Sequence, residues 1–468
     1  MISYLLCFQE ELPETVMTAL PNSLAARDIE YYFHPVTNAR RHEQVGPMII
    51  SKGKGVYVYD DAGKEYIEAM AGLWSVAVGF GEDRLVQAAT RQMGELPFYH
   101  SFSHKSHPTA IALAERMVKM SPGHMGKAHF VNSGSEANDT VIKMIWFYNN
   151  ARGKPEKKKI ISRIKAYHGI TMMSASLTGL PNNHRDFDLP FPQIKHVSCP
   201  HHYRFAEAGE TEEDFATRLA KELEDRILAE GPETVAAFIG EPVMGAGGVF
   251  IPPQTYWPKM QEVCRKYDIL IVADEVINGL GRTGNVWGCD TYGITPDFMI
   301  CSKQITSSYV PLASITFTNE IYNVIADNTA KIGTFAHGFT TSGHPLAMAV
   351  AMENLDIIEE RNLMGRVNEL SPHFLKRLHS FKDHPLVGET RGVGLIGAIE
   401  LVADKKTKAA FEKPSATGLR LAELGHEEGV IFRPIGDILA FCPPLIITDQ
   451  QIDDIFDRFG RALDRLTV

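Results

Sequence analysis

The eight residues Ile269-Leu270-Ile271-Val272-Ala273-Asp274-Glu275-Val276 set five apolar side chains in a row and end them on two carboxylates. A run of this length with no polar alternation reads as a strand buried on both faces, the pattern of parallel sheets covered by helices. Comparable runs flank it: KIISRIKAYHG from Lys159, TVAAFIGEP from Thr234 and DFMICSK from Asp297. Helix-length segments separate them, so the chain from about Ser75 to Thr340 is predicted to be α/β with a mostly parallel sheet. Upstream, alternating Val56/Val58 and Tyr57/Tyr59 before Asp60-Asp61-Ala62-Gly63 predict a hairpin. From about Pro345 the chain turns helical, alternates strands and helices again, and ends on the amphipathic DQQIDDIFDRFGRALDRL.

Open parallel sheets bind ligands beyond the carboxyl ends of their strands, so the residues that follow each apolar run are the informative ones. Asp274 is costly to leave unpaired at the end of such a strand and needs a cation. A protonated heterocyclic nitrogen, a basic side chain or a metal would serve, and Arg282 in GLGRTG could pair with Asp274 or Glu275 as a structural bridge. Lys303 follows Phe298-Met299-Ile300-Cys301-Ser302. Desolvation there would lower its pKa and make the amine a nucleophile and base, whereas a lone lysine more commonly snorkels to water. Ser133-Gly134-Ser135 opens a helix whose apolar positions are Val141, Ile142, Ile145 and Tyr148. Free N–H groups, two hydroxyls and the dipole end suit an anion; an ordinary N-cap is the plainer alternative. Tyr167, after KIISRIK, could stack on a planar ligand or simply fill the core. Together, an anion cradle, a stacking ring, a buried acid and a buried lysine describe a seat for pyridoxal phosphate.

The bulk numbers are those of an ordinary globular protein. Net charge is −10, with 57 acidic residues against 47 Lys plus Arg, which excludes a polyanion-binding surface. The short basic runs Lys157-Lys158-Lys159 and Lys405-Lys406 read as solvated faces. Six scattered cysteines imply reduced thiols and a cytoplasmic setting, and no stretch is long and apolar enough to span a membrane. Met17 opens MTALPNSLAARD, so residues 1–16 are expected to be a dispensable extension.

NSGSEAND, AYHG, GEPVMGAGGV, ADEVINGLGRTG, SKQITSSYVPLAS and HGFTTSGHP, in this order, resemble the class III aminotransferases, most closely their ω-amino-acid or amine:pyruvate branch. The resemblance runs from about Ala25 to the C-terminus. It implies the fold-type I architecture: a large cofactor-binding domain over 75–344, and a smaller α/β domain from 17–74 and 345–468. It implies pyridoxal 5′-phosphate as cofactor, with Lys303 as the Schiff-base lysine and Asp274 as the partner of the pyridinium nitrogen. Ser133, Gly134 and Ser135 resemble the phosphate cup, Tyr167 the stacking ring, Val276 its opposite face and Glu241 a site acid. Thr340 resembles the residue that reaches the phosphate from the partner subunit, which implies a homodimer with shared sites, and possible assembly to a tetramer. Leu73, Trp74, Phe102, Tyr167 and Ile277 match the amine-side pocket, and Arg433 the mobile arginine that grips a keto acid, pyruvate above others. Thr341, Ser75 and Ala77 depart from the family's usual residues, which implies a roomier amine pocket.

The alternatives are an aminomutase or decarboxylase on the same scaffold, or a cofactor-binding homologue without activity. Gly392-Val393-Gly394-Leu395-Ile396-Gly397 has dinucleotide-site spacing but runs on as a strand, so no such site is expected. His100, His104 and His107, and the pair His201-His202, lack a nearby acid or thiol in sequence and read as surface or interface residues, with no metal.

Overall fold

Side chains alternate between two hydrophobic clusters along the strand of the opening motif, which explains why its sequence shows no polar alternation. Ile271 and Ala273 join one cluster while Leu270 and Val272 join the other, so both faces of the strand are covered. The computed structural model describes residues 20–467; the proposed extension 1–16 and the start at Met17 lie outside the described residues.

The chain divides into two units, 1–53 with 58–65, and 54–57 with 66–468. The first contains helices Leu24–Tyr31 and Ala39–Val45, neither of which buries a residue. Strands β1 (Ile50–Lys54), β2 (Tyr57–Asp60) and β3 (Glu65–Glu68) follow. The expected turn lies between β2 and β3: Asp60 Oδ1 accepts the N–H groups of Ala62 at 3.0 Å and Lys64 at 2.8 Å.

The second unit is built on a seven-stranded sheet of β4 (Met125–Val131), β5 (Lys159–Arg163), β6 (Ile194–Val197), β7 (Val235–Gly240), β8 (Leu270–Asp274), β9 (Phe298–Cys301) and β10 (Ala313–Thr318). Their order is β4-β10-β9-β8-β7-β5-β6. Every pairing from β9 to β6 is parallel, and β10 runs antiparallel to both neighbours. The fold is therefore the mixed α/β, parallel-rich architecture of fold-type I. Helix Gly134–Ala151 lies on the sheet through Val141, Ile142, Ile145 and Tyr148, the periodic apolar positions of its sequence.

A second, antiparallel sheet follows, made of β11 (Val387–Val393), β12 (Ile396–Leu401), β14 (Arg433–Ile435) and β15 (Ile438–Phe441) in the order β11-β12-β15-β14. Short β13 (Val430–Ile431) pairs in parallel with β3, Val430 opposite Ile67. The terminal helix Asp449–Asp464 buries Ile452, Ile455, Phe456 and Phe459. The glycine motif forms the tight β11–β12 hairpin, with Gly392 opposite Gly397, and opens no helix.

Three readings of charged residues change. Lys157 is buried rather than solvated, its ammonium bonded to the Tyr267 carbonyl at 3.1 Å and near the Asp268 carboxylate at 3.3 Å. His107 is buried and caps helix Pro108–Met120, with Nε2 2.7 Å from the Gly343 carbonyl. His201 is buried too, and its acid is remote in sequence: Glu389 Oε2 on β11 lies 2.8 Å from Nε2.

Candidate active site

Strands β4, β5, β7, β8 and β9 end on one side of the sheet, and the residues after them contribute to a cavity of about 370 Å³. Its walls include Ser133, Gly134, Ser135, Tyr167, Glu241, Asp274, Val276, Ile277 and Lys303, nine of the residues singled out in the sequence.

Asp274 ends β8 and is almost wholly buried. Burial alone would raise its pKa, yet the carboxyl is held below the usual range by its partners, His168 first among them. His168 Nδ1 lies 2.7 Å from Oδ2, Asn138 Nδ2 donates to the same oxygen at 3.3 Å, and the Val276 N–H donates to Oδ1 at 3.1 Å. The sequence reading missed His168 and Asn138; His168 stands in AYHG beside Tyr167, and a residue adjoining a cofactor motif was the available signal. The proposed bridge from Arg282 does not form. Its guanidinium donates to the carbonyls of Leu395 at 3.0 Å and Pro443 at 2.6 Å and to Gln304 Oε1 at 3.2 Å. Glu275 instead accepts the N–H groups of Gly288 and Cys289 at 2.9 and 2.6 Å.

Lys303 follows β9 in a left-handed backbone conformation, φ 50°, with Ser307 and Ser308 close behind at 47° and 57°. Three non-glycine residues in this region store strain that the surroundings must hold. Gln304 helps to hold it, donating to the carbonyls of Ile277 at 3.2 Å and Gly279 at 2.6 Å. Burial pushes the Lys303 ammonium down to about 8, a shift that Asp274 and Glu241 oppose. The lysine faces the cavity; it does not snorkel to bulk water.

Ser133 proves to be both cap and cradle wall. Its hydroxyl accepts the Glu136 N–H at 3.2 Å, while Ser135 Oγ accepts the Ile170 N–H at 3.1 Å. Gly169, at φ 131°, closes against this turn so tightly that a Cβ there would lie 2.4 Å from Ser135 Oγ. A Cβ on Gly134 would meet Val276 Cγ2 at 3.2 Å. Glu241, buried and raised in pKa by that burial, accepts the N–H groups of Tyr167 at 3.2 Å and Gly245 at 3.0 Å. It fixes the loop that carries the aromatic ring.

Leu73, Trp74, Phe102, Thr340 and Arg433 do not line this cavity. Trp74 is 1% exposed, whereas Leu73 and Phe102 are 54% and 45% exposed. Thr340 is exposed, and its neighbour Thr341 donates to Asn132 Oδ1 at 2.9 Å. Arg433 is half-buried on β14, close enough to Tyr167 and Lys303 to influence both charges.

Pyridoxal phosphate fits this donor set. A helix start with two hydroxyls suits a phosphate. A carboxylate kept ionised suits a ring N–H⁺, and a desolvated lysine suits the carbonyl carbon. Among the described residues, the buried His168 Nε2 and Asn138 Oδ1 have no partner.

The class-III aminotransferase family matches residues 37–463. A tomato (Solanum lycopersicum) protein named γ-aminobutyrate transaminase 3, chloroplastic, is 47% identical over 95% of this chain and 87% of its own. Its relative γ-aminobutyrate transaminase 1, mitochondrial, is 49% identical over 92% of this chain and 84% of its own. An ω-transaminase from Pseudomonas jessenii, solved in complex with PMP, has a TM-score of 0.94 and 59% identity over 95% of this chain and 98% of its own. Family match, relatives and fold agree, and the chain belongs to the class-III aminotransferases, enzymes that transfer amino groups with pyridoxal phosphate.

Proposed function

We propose that this aminotransferase takes its amino group from an amine or ω-amino acid and delivers it to pyruvate, working as a homodimer. One observation carries the proposal: Arg433 is a half-buried guanidinium beside Tyr167 whose Nε has no partner among the described residues. A keto acid offers one carboxylate, which a guanidinium receives through two parallel N–H bonds. A carboxylate-free amine needs the same side chain to move aside.

Relatives support the donor class, since they are named γ-aminobutyrate transaminases and ω-transaminases. One solved relative, 58% identical and altered at a tryptophan, a phenylalanine and an arginine, is described as engineered for asymmetric synthesis of enantiopure bulky amines. Trp74, Phe102 and Arg433 have the same separations along this chain.

When bound, pyridoxal phosphate supplies an electron-withdrawing ring that stabilises negative charge on the amine-bearing carbon. Lys303, pushed down by burial to about 8, has a useful neutral fraction at physiological pH; with the cofactor bound it would take the proton from that carbon as base and, as acid, give it up to the cofactor's C4′ carbon. Asp274, held in its ionised form, would keep a proton on the cofactor's ring nitrogen. Ser133, Gly134 and Ser135 would hold the phosphate, and Tyr167 and Val276 would confine the ring. Glu241 keeps Tyr167 in place.

Exposed Phe98, Tyr99 and Phe102, with Thr340 exposed and outside its own chain's cavity, support a second subunit on this face. Five described cysteines, all free and buried, support a reducing, cytoplasmic setting. The test is a panel of donors, γ-aminobutyrate and carboxylate-free amines, against pyruvate, glyoxylate and 2-oxoglutarate. Pyruvate is expected to exceed 2-oxoglutarate by about tenfold or more in kcat/KM. The reverse order would remove the pyruvate assignment.

A further inference from the structure

The first unit holds a cluster that amino transfer does not use. Asp28 lies in helix Leu24–Tyr31, His34 in the loop after it and His42 in helix Ala39–Val45. His34 Nε2 is 2.8 Å from Asp28 Oδ1 and 3.0 Å from Oδ2, and His42 Nε2 is 2.9 Å from the same Oδ1. The imidazoles face each other with centroids 4.3 Å apart, so both nitrogens converge beside one carboxylate oxygen. A hollow of about 220 Å³, lined in part by His34 and His42, adjoins the cluster and gives solvent a way in.

Two neutral imidazoles each donating Nε2–H to Asp28 would satisfy this arrangement. Two imidazole lone pairs and a carboxylate oxygen around a cation would satisfy it as well. We propose the second: Asp28, His34 and His42 form a binding site for a divalent transition-metal ion of the zinc type. The ligand types select the ion, since magnesium and calcium demand oxygen sets whereas two imidazoles suit zinc and its neighbours. Three protein ligands leave a fourth position for water. Metal–ligand bonds of about 2.0–2.2 Å place tetrahedral neighbours roughly 3.3 Å apart, so the observed nitrogen–oxygen spacings need open by only about half an ångström.

The poverty of the surrounding unit favours the cation. Neither helix buries a residue, and Tyr31, Tyr32, Phe33 and Val36 are all exposed. The cluster ties one helix to the other where an apolar core would otherwise do so, and small units without a core are those that a structural metal stabilises.

The test uses untagged, full-length holoenzyme stripped with a chelator, dialysed against zinc chloride and assayed for bound metal. Wild type is expected to hold one zinc per chain after dialysis. The double variant His34→Gln/His42→Gln should bind at least about tenfold more weakly. Zinc should also slow tryptic cleavage at Arg27, Arg40 and Arg41 in wild type and not in the variant. Should the double variant fail to fold, near-isosteric Asp28→Asn carries the same comparison. Equal zinc uptake by wild type and a folded variant overturns the proposal and leaves the hydrogen-bonded reading.

Discussion

The seven-stranded sheet and the antiparallel β11-β12-β15-β14 sheet of the second unit treat their charges in opposite ways. Asp274, at the end of a fully buried central strand, has three donors on two oxygens and no freedom to change them. Arg433, on a three-residue strand at the edge of the antiparallel sheet, is half-buried, its Nε without a partner among the described residues. A buried charge without compensation is costly, so such a group is held ready for a ligand that completes it. The central sheet fixes one protonation state, which the chemistry needs at every turnover. The edge of the smaller sheet leaves a cation free to change partner, as the proposed alternation between keto acid and amine requires.

Removing the central charges should therefore hurt every substrate alike. Lys303→Ala is expected to abolish transamination with all donors, by more than about 10³-fold, while circular dichroism shows the fold intact. Activity within a few-fold of wild type would break the assignment of Lys303 altogether. Asp274→Asn should retain cofactor and lose roughly 10²–10³-fold in single-turnover rate, equally for amine and keto-acid halves. An unequal loss would mean that Asp274 also reads the substrate.

What the sequence made legible follows the same division. Uninterrupted apolar runs announce buried parallel strands, so the sheet and the residues after β5, β7, β8 and β9 could be located before any coordinates. Tyr167, Glu241, Asp274 and Lys303 meet in one cavity for that reason, and Ser133 joins them from the helix start after β4. Partners joined across the fold were illegible. His201 finds Glu389 across 188 positions and Arg282 reaches Pro443 across 161, and no local pattern encodes either. His168 was hidden differently: it adjoins a residue already singled out, but its direction toward Asp274 depends on the loop.

Arg433→Ala sharpens the contrast from the other sheet. Its loss should raise KM for pyruvate, at about 2–5 kcal/mol for a lost carboxylate pair, and leave the half-reaction with a carboxylate-free amine near wild type. Stopped-flow measurement of the two halves separately checks this. If both halves fall together, Arg433 supports the fold, and the division between fixed and adaptable charge fails.

The smallest effect should come from His168, which touches Asp274 and not the substrate carbon. Burial raises the Asp274 pKa, and the hydrogen bond from His168 is the leading influence that lowers it. In His168→Ala the Asn138 and Val276 donors remain, so near neutral pH the rate should drop only a few-fold, about the worth of one charge-assisted hydrogen bond shared among three. The direction of the pH effect is fixed by which state the bond favours. Wild-type Asp274 is ionised down to a pH below the usual carboxylate pKa; without His168 its pKa rises, so protonation begins at higher pH. The acid limb of the kcat profile should therefore move upward, and His168→Gln, which keeps an N–H donor, should move it less. A role in packing alone would lower stability without shifting that limb. If the limb stays still in His168→Ala while Asp274→Asn remains crippled, Asn138 and the Val276 N–H hold the charge by themselves.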